Sequence, residues 1–275
     1  MPDLQIQHVI FTRVERAYSP NNVSGYQIAY KSAALGNDTT AIEKRLQCFE
    51  PGRQESARYQ FFWTEQGQAV LARSVPLAEI DPEVIDPAQR DAFLAHALVV
   101  SRADFARIRN DPFAIFDAAE NNDIFAEDAD RLVDYLRARA AEQMLAVPLR
   151  KRAAVNDLLE GWRSEDLLRL YHLGMQAPLL SRQGRSLLLQ ADDRDEIFNL
   201  LNVICMLIPP DDRSACTFDT WVDGCTPHAG TLWAVGTSTG RSHPGFLPIR
   251  LVDQGLEFKG GGDGFSDPKA LARSA

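Results

Sequence analysis

The residues most suggestive of chemistry lie in a glycine-rich stretch, 236–240, which reads Gly-Thr-Ser-Thr-Gly and places Ser238 between two glycines. Hydrolases with this pattern use a strained turn from a strand into a helix to project the serine hydroxyl. The apolar stretch 232–235 predicts the strand. However, Pro244 follows where the helix should form, and no histidine follows Asp253 to complete the order Ser, Asp, His. The pattern therefore favours a glycine-rich turn over a serine hydrolase.

A second group of residues, Cys216, Cys225 and His228, offers three ligand types that zinc accepts. Structural zinc sites usually combine two closely spaced ligand pairs. Here only Cys225 and His228 have such a spacing, and Cys216 falls in a predicted strand, 215–221. These residues are weak metal candidates, and we expect neither a metal nor a cofactor.

A histidine base for a cysteine or serine nucleophile can come from any part of the chain, because such pairs meet in space rather than in sequence. His96, His172 and His228 are available for that role. His96 lies in the apolar run 92–100, which predicts a strand buried on both faces. A buried imidazole needs hydrogen-bond partners. The sequence therefore favours a core histidine, with a site residue as the alternative.

The overall composition excludes several classes of function. The chain has 275 residues, a net charge of −9 and no dense basic block, which argues against direct nucleic-acid binding. It contains neither of the glycine-rich phosphate-binding motifs. Four scattered cysteines do not suit a disulfide-built fold. No secretory signal begins the chain, and the longest apolar run, 203–210, is too short for a membrane span. We expect a cytoplasmic protein without membrane contact.

The first third of the chain predicts mostly strands. Alternating or apolar stretches at 7–14 and 26–30 flank a turn rich in serine, asparagine, proline and glycine. Residues 58–64 and 69–75 flank a short polar turn, as in a hairpin. A short helix is predicted from Asp38 or Thr39 to Cys48, with the first residue as its cap.

The middle of the chain predicts helices, because leucine, alanine and methionine recur every four residues from 127 to 145. Two further apolar helical patterns follow, at 155–162 and from Ser164 to Gly174. These helices lie between the two parts of the chain that predict strands.

The last third of the chain combines strands with one well-marked helix. Asp193 and Glu196 resemble a capping box, and Pro209 and Pro210 end the helical pattern. A strand at 185–191 precedes this helix, and strands at 215–221, 231–235 and 249–252 follow it. A strand–helix–strand crossover predicts a parallel pair.

These elements predict an α+β or α/β fold with mixed sheets, in which two β-containing halves flank a helical middle region. We expect a β-rich first half at 1–140, a second half at 141–259 that begins with helices, and a flexible tail or linker at 260–275.

Three segments together resemble one protein family. They are 8–13 with 24–27, the strand at 93–99, and the stretch 207–220 around Pro209 and Pro210. The chain resembles the second type of N-terminal domain of bacterial GTPase-associated proteins. The resemblance implies a non-catalytic module that works with a GTPase partner, or another defence component, in NTP-dependent conflict systems of the anti-phage type.

The sequence thus supports three hypotheses of function. The first is a protein-interaction or adaptor module of a bacterial defence assembly. The second is a hydrolase with a Cys/His or serine site built from His96, Cys216, His228 or Ser238. The third is a small-ligand sensor. An enzyme requires convergence of those side chains, an adaptor requires an exposed apolar patch, and a sensor requires an enclosed pocket.

Overall fold

The structure is a computed structural model of the 275-residue chain. It describes residues 3–35, 39–47, 57–76, 93–125, 144–149, 152, 157, 159–160, 162–163, 166–174, 186–222, 232–238, 246–252 and 255–258. In these ranges, five helices and eleven strands form an α+β fold with parallel and antiparallel pairing, as the sequence predicts.

The chain divides into two compact units. The first comprises Met1–Ile108 and Pro112–Lys151, and the second comprises Arg109–Asp111 and Arg152–Ala275. The predicted division into halves at residue 140 stays a prediction. Of the predicted middle helices, 127–145 falls almost wholly outside the described residues, and 155–162 falls partly outside them.

Among its described residues, the first unit contains six antiparallel strands. They are β1 (Leu4–Val14), β2 (Gly25–Lys31), β3 (Arg58–Trp63), β4 (Ala69–Pro76), β5 (Phe93–Val100) and β6 (Leu145–Val147). Five of them are hydrogen-bonded in the order β3-β4-β5-β1-β2, and β6 also pairs with β1. All eight side chains of β5 are buried, as its continuous apolar sequence predicts.

Helices cover both faces of this sheet. The helices are α1 (Thr40–Leu46), α2 (Arg102–Arg107) and α3 (Pro112–Glu120). On the face that carries Tyr59, Phe116 of α3 meets the Tyr59 ring edge-on at 5.4 Å. On the opposite face, the Arg45 guanidinium of α1 lies 5.0 Å from the Phe62 ring. Neighbouring residues of a strand point to opposite faces of the sheet, so a strand made of consecutive apolar residues gives both faces an apolar surface.

The part of the second unit that the structure describes contains five strands. They are β7 (Ser186–Gln190), β8 (Phe218–Asp219), β9 (Ala234–Thr237), β10 (Phe246–Val252) and β11 (Gly255–Phe258). Their order is β11-β10-β7-β9-β8, with parallel pairs throughout except between β10 and β11. Strands β7 and β8 run parallel, but β9 lies between them, so the prediction that these two strands form a pair is wrong. Strand β8 also starts at Phe218, three residues later than predicted.

Within the described residues, this unit contains the helices α4 (166–174) and α5 (Arg194–Leu207). The α5 bounds agree with the predicted start and end. The Asp193 carboxylate accepts a hydrogen bond from the backbone N–H of Asp195 at 3.0 Å, as expected of an N-cap. The backbone turns extended at Ile208, just before the two prolines.

Candidate functional site

The glycine-rich stretch around Ser238 has a packing role in the structure. Gly236 lies inside β9, and a Cβ atom added there would sit 2.1 Å from the backbone oxygen of Thr220 and 2.9 Å from Cδ1 of Ile197. Glycine is therefore required because another backbone passes too close for a side chain. Ser238 is half-buried just after β9. The motif's first glycine is thus explained by a close approach of two chain segments.

Cys216 is a buried thiol at the end of a short 3-10 turn, Arg213–Ala215. The prediction that it lies within a strand is wrong. Its Sγ donates to the backbone oxygen of Asp212 at 3.8 Å. Burial, and to a smaller degree the neighbouring Cys205, raise the pKa of the Cys216 thiol well above its usual value. A thiol that stays protonated is a poor nucleophile and a poor metal ligand.

Cys216 and Ser238 lie toward opposite ends of the second unit's sheet. Phe218 of β8 is paired with Ala234 of β9, and the two strands run parallel. Cys216 lies two residues before Phe218, and Ser238 lies four residues after Ala234. At ~3.3 Å per strand residue, Ser238 lies about 13 Å beyond Ala234, whereas Cys216 comes before the start of β8. They therefore do not form a common site.

The remaining predicted zinc ligands, Cys225 and His228, lie outside the described residues. Among the residues that the structure does describe, no three side chains of the His, Cys, Asp and Glu types are grouped so that they could hold a metal ion.

His96 is fully buried on β5 and is paired with a second histidine, His8 of β1. His8 Nδ1 and His96 Nε2 are 3.0 Å apart, within hydrogen-bond distance. Aromatic rings flank the pair, with Tyr30 at 4.7 Å from His8 and Phe125 edge-on at 5.7 Å from His96. The structure thus supplies the hydrogen-bond partner that a buried His96 requires.

The histidine pair belongs to a row of polar and aromatic side chains that crosses the first unit's sheet. Arg73 of β4 is the cross-strand partner of His96, and Tyr59 of β3 is the cross-strand partner of Arg73. Directly opposite residues on neighbouring antiparallel strands point to the same face. We call Tyr59, Arg73, His96, His8 and Tyr30 the polar row.

One end of the polar row is bound to Glu120, at the end of α3. The Tyr59 hydroxyl donates to the Glu120 carboxylate, and Arg73 Nε lies 3.4 Å from the same oxygen. Burial, followed by the hydrogen bond and charge of Glu120, raises the pKa of the Tyr59 hydroxyl, whereas Arg73 opposes this shift. The Glu120 side chain is 39% exposed, so this end of the polar row meets a partly solvated carboxylate, whereas the two imidazoles within the row are fully buried.

The second unit contains a buried ion cluster around Asp111. Arg152 Nη1 donates to both carboxylate oxygens of Asp111, at 2.9 and 2.7 Å, and Arg213 Nη1 lies 3.7 Å from one of them. Asn202 of α5 accepts a further hydrogen bond from Arg152. Such a cluster is stabilised only while each charge keeps its partner.

Arg213 lies in the segment 207–220, which is part of the family resemblance, and its hydrogen bonds give it a structural role there. Its Nε donates to the backbone oxygen of Ile208 at 3.0 Å, and its Nη2 donates to that of Met206 at 3.1 Å. A cation at a helix C-terminus satisfies free carbonyl groups and the helix dipole. The role of Arg213 in the described structure is therefore to hold the end of α5.

A surface feature of the second unit is the outward side of α4. Leu170 and Leu173 are buried, whereas Leu168 and Tyr171 are 53% and 48% exposed. Residues three apart on a helix lie side by side. We call Leu168 and Tyr171 the α4 surface pair.

The sequence did not identify several members of these clusters. His8 stands in an apolar strand just as His96 does, and that shared pattern was the available signal. Asp111 and Arg152 carry no comparable signal, because they lie 41 residues apart and outside regular elements.

No family model and no curated protein matches this chain. Among the described residues, we find no helix with the length and hydrophobicity needed to cross a bilayer.

Proposed function

We propose that this protein is an interaction module that binds a protein partner through the α4 surface pair. The observation that carries the proposal is the exposure of Leu168 and Tyr171 side by side on one helix. Tyrosine is enriched among the residues that dominate binding energy at protein interfaces. The pair would form the apolar centre of the contact.

The α4 helix is held firmly enough to present such a pair. Arg169 donates to the backbone oxygen of Leu256 on β11 at 3.2 Å, and it forms an ion pair with the buried Asp166 at 2.9 Å. At the other end, a Cβ atom on Gly174 would lie 2.9 Å from Cβ of Leu207, so α4 closely approaches α5 there. A preorganised surface loses less conformational entropy on binding.

The chemistry of two predicted catalytic residues, Cys216 and His96, also supports an interaction role over a hydrolase. Cys216 is buried with a raised pKa, and His96 is engaged with His8. Gly236 has a steric role in β9. These observations give the residues structural functions of their own.

The partner class follows from the family resemblance and from the charge of the chain. We propose a GTPase or another component of a bacterial defence system, acting in the cytoplasm. A net charge of −9 favours a protein partner over the phosphate backbone of a nucleic acid.

The test is affinity capture from the native host with the tagged chain, with and without GTP. A captured protein is then purified, and its affinity for the chain is measured directly. The double variant Leu168→Ser/Tyr171→Ser should weaken binding by about tenfold or more, since loss of a central interface side chain costs at least ~1.4 kcal/mol. Val23→Ser is the matched control, because Val23 is 55% exposed in the first unit.

Equal binding by the double variant and the wild type would refute the α4 surface pair as the binding surface. Failure to recover any partner that binds again in purified form would count against the interaction function itself. Circular dichroism of each variant establishes that it is folded.

A further inference from the structure

The His8–His96 pair can hold only certain numbers of protons. The bond between Nδ1 of His8 and Nε2 of His96, 3.0 Å long, requires one ring nitrogen to donate and the other to accept. Two neutral rings meet this requirement. An imidazolium and a neutral imidazole also meet it, and their bond is strengthened by the charge.

A second added proton has a different effect. It turns both facing nitrogens into donors, so the hydrogen bond is lost. It also places two positive charges on rings whose centroids are 5.2 Å apart in a fully buried site. Like charges at this distance and burial repel strongly because no water screens them.

The titratable groups that face the pair do not favour the doubly charged state. Among the described residues, Tyr30 of β2 packs against His8 and Arg73 of β4 lies opposite His96, while Tyr59 of β3 and Glu120 of α3 lie beyond Arg73. Arg73 is a cation opposite His96, and so adds to the repulsion. The carboxylate of Glu120 is bound to both Tyr59 and Arg73.

From this geometry we infer that the His8–His96 pair is an acid-sensitive latch between β1 and β5. The latch stays closed with no added proton or with one, and it opens when the second proton binds. The two strands come from segments 88 residues apart, so the latch joins distant parts of the first unit. This inference is independent of the proposed interaction surface, which lies on α4 in the second unit.

The direction of the pH dependence follows from proton counts. In an opened state, both imidazoles are solvated and become charged below about pH 6.5. Well below that pH the open state holds two added protons and the closed state at most one, so acid shifts the equilibrium toward the open state. Where the difference is one proton, the equilibrium constant for opening rises about tenfold for each unit that the pH falls.

The experiment uses the full chain between pH 7.5 and pH 5. Imidazole ¹⁵N NMR counts the protons on His8 and His96, and backbone hydrogen exchange, corrected for its intrinsic pH dependence, measures opening of β1 and β5. We expect at most one added proton in the closed state, together with a rise in opening that is confined to pH values below about 6.5 and approaches tenfold per pH unit near pH 5.

His96→Gln is the decisive variant, because the glutamine amide occupies a position close to Nε2 and keeps a hydrogen-bonding group there without titrating. This variant should lose at least half of the pH slope of opening. His172→Gln is the matched control, since His172 is a half-buried histidine in the second unit, and it should keep the slope.

Three results would overturn the inference. The first is a closed state in which both rings are charged while protection is unchanged. The second is pH-independent opening of the wild type, and the third is an unchanged slope in His96→Gln. If His96→Gln does not fold, the proton count and the exchange slope of the wild type decide the matter on their own.

Discussion

The clearest structural prediction concerns Gly236. The backbone of β9 there passes so close to Thr220 that a Cβ atom would lie 2.1 Å from the carbonyl oxygen and 2.7 Å from the carbonyl carbon. Both obstacles are backbone atoms, which cannot rotate away as a side chain can. The φ angle of Gly236 lies outside the left-handed region, so the reason for glycine is space alone.

The size of the effect can be worked out from these contacts. A Cβ atom essentially never approaches another heavy atom within 3.0 Å, so Gly236→Ala requires β9 and Thr220 to separate by about 1 Å. Overpacking of this kind costs about 1–3 kcal/mol. The shift also strains the hydrogen bond from Val222 N–H to Gly236 C=O, now 2.9 Å, which contributes about 1 kcal/mol. We expect a total loss of about 3 kcal/mol in the free energy of unfolding.

The assay is urea unfolding followed by circular dichroism and tryptophan fluorescence. Gly67→Ala is the control, because Gly67 has a φ of +76° but nothing within 4 Å of an added Cβ. It should lose about 1–2 kcal/mol through backbone strain. If Gly236→Ala loses no more than Gly67→Ala, then the steric explanation is wrong.

A second variant separates the backbone clash from the side-chain clash. Ile197→Val removes the Cδ1 atom that lies 2.9 Å from the added Cβ at Gly236. In combination with Gly236→Ala, it should recover only a small part of the lost stability, since the carbonyl group of Thr220 still blocks the space. Full recovery would show that Ile197, and not the backbone, requires the glycine.

Two further predictions concern buried groups of the second unit. Asp111→Asn should lower the free energy of unfolding by about 3 kcal/mol, because it leaves Arg152 and Arg213 buried without their carboxylate. Asp104→Asn, at an exposed ion pair, should lose about 1 kcal/mol or less in the same denaturation assay, and equal losses would contradict the role of burial. Burial, aided by Asp111, raises the pKa of the Cys205 thiol, so the folded state keeps a proton that the unfolded state releases above about pH 8.5. Stability should therefore fall as pH rises above that value, and Cys205→Ala should reduce the slope by about 1.4 kcal/mol per pH unit in denaturation curves.

Local patterns were sufficient to predict much of the secondary structure. The helix α5 begins after Asp193 and ends before Pro209, because capping and loss of a backbone donor act within a few residues. The hairpin of β3 and β4 follows from two alternating segments around a short turn. The buried strand β5 follows from its unbroken apolar sequence.

The candidate site was predicted less well, because its members meet only in the folded chain. His96 was recognised as a buried histidine, but its partner His8 lies 88 residues away. The sequence predicts Cys216 in a strand, whereas in the structure a 3-10 turn ends at Ala215 and β8 begins only at Phe218. The β propensity of a short stretch of residues does not show where the next strand begins to pair with another strand.

The sequence by itself determined the α+β class, the bounds of α5, the hairpin of β3 and β4, and the buried strand β5. Only the tertiary structure decided that β9 lies between β7 and β8, that Gly236 must be glycine, and that His8 meets His96. Backbone propensities and caps act between near neighbours, so they are present in a short stretch of residues. Strand order and side-chain pairing depend on packing between segments far apart, which no local pattern contains.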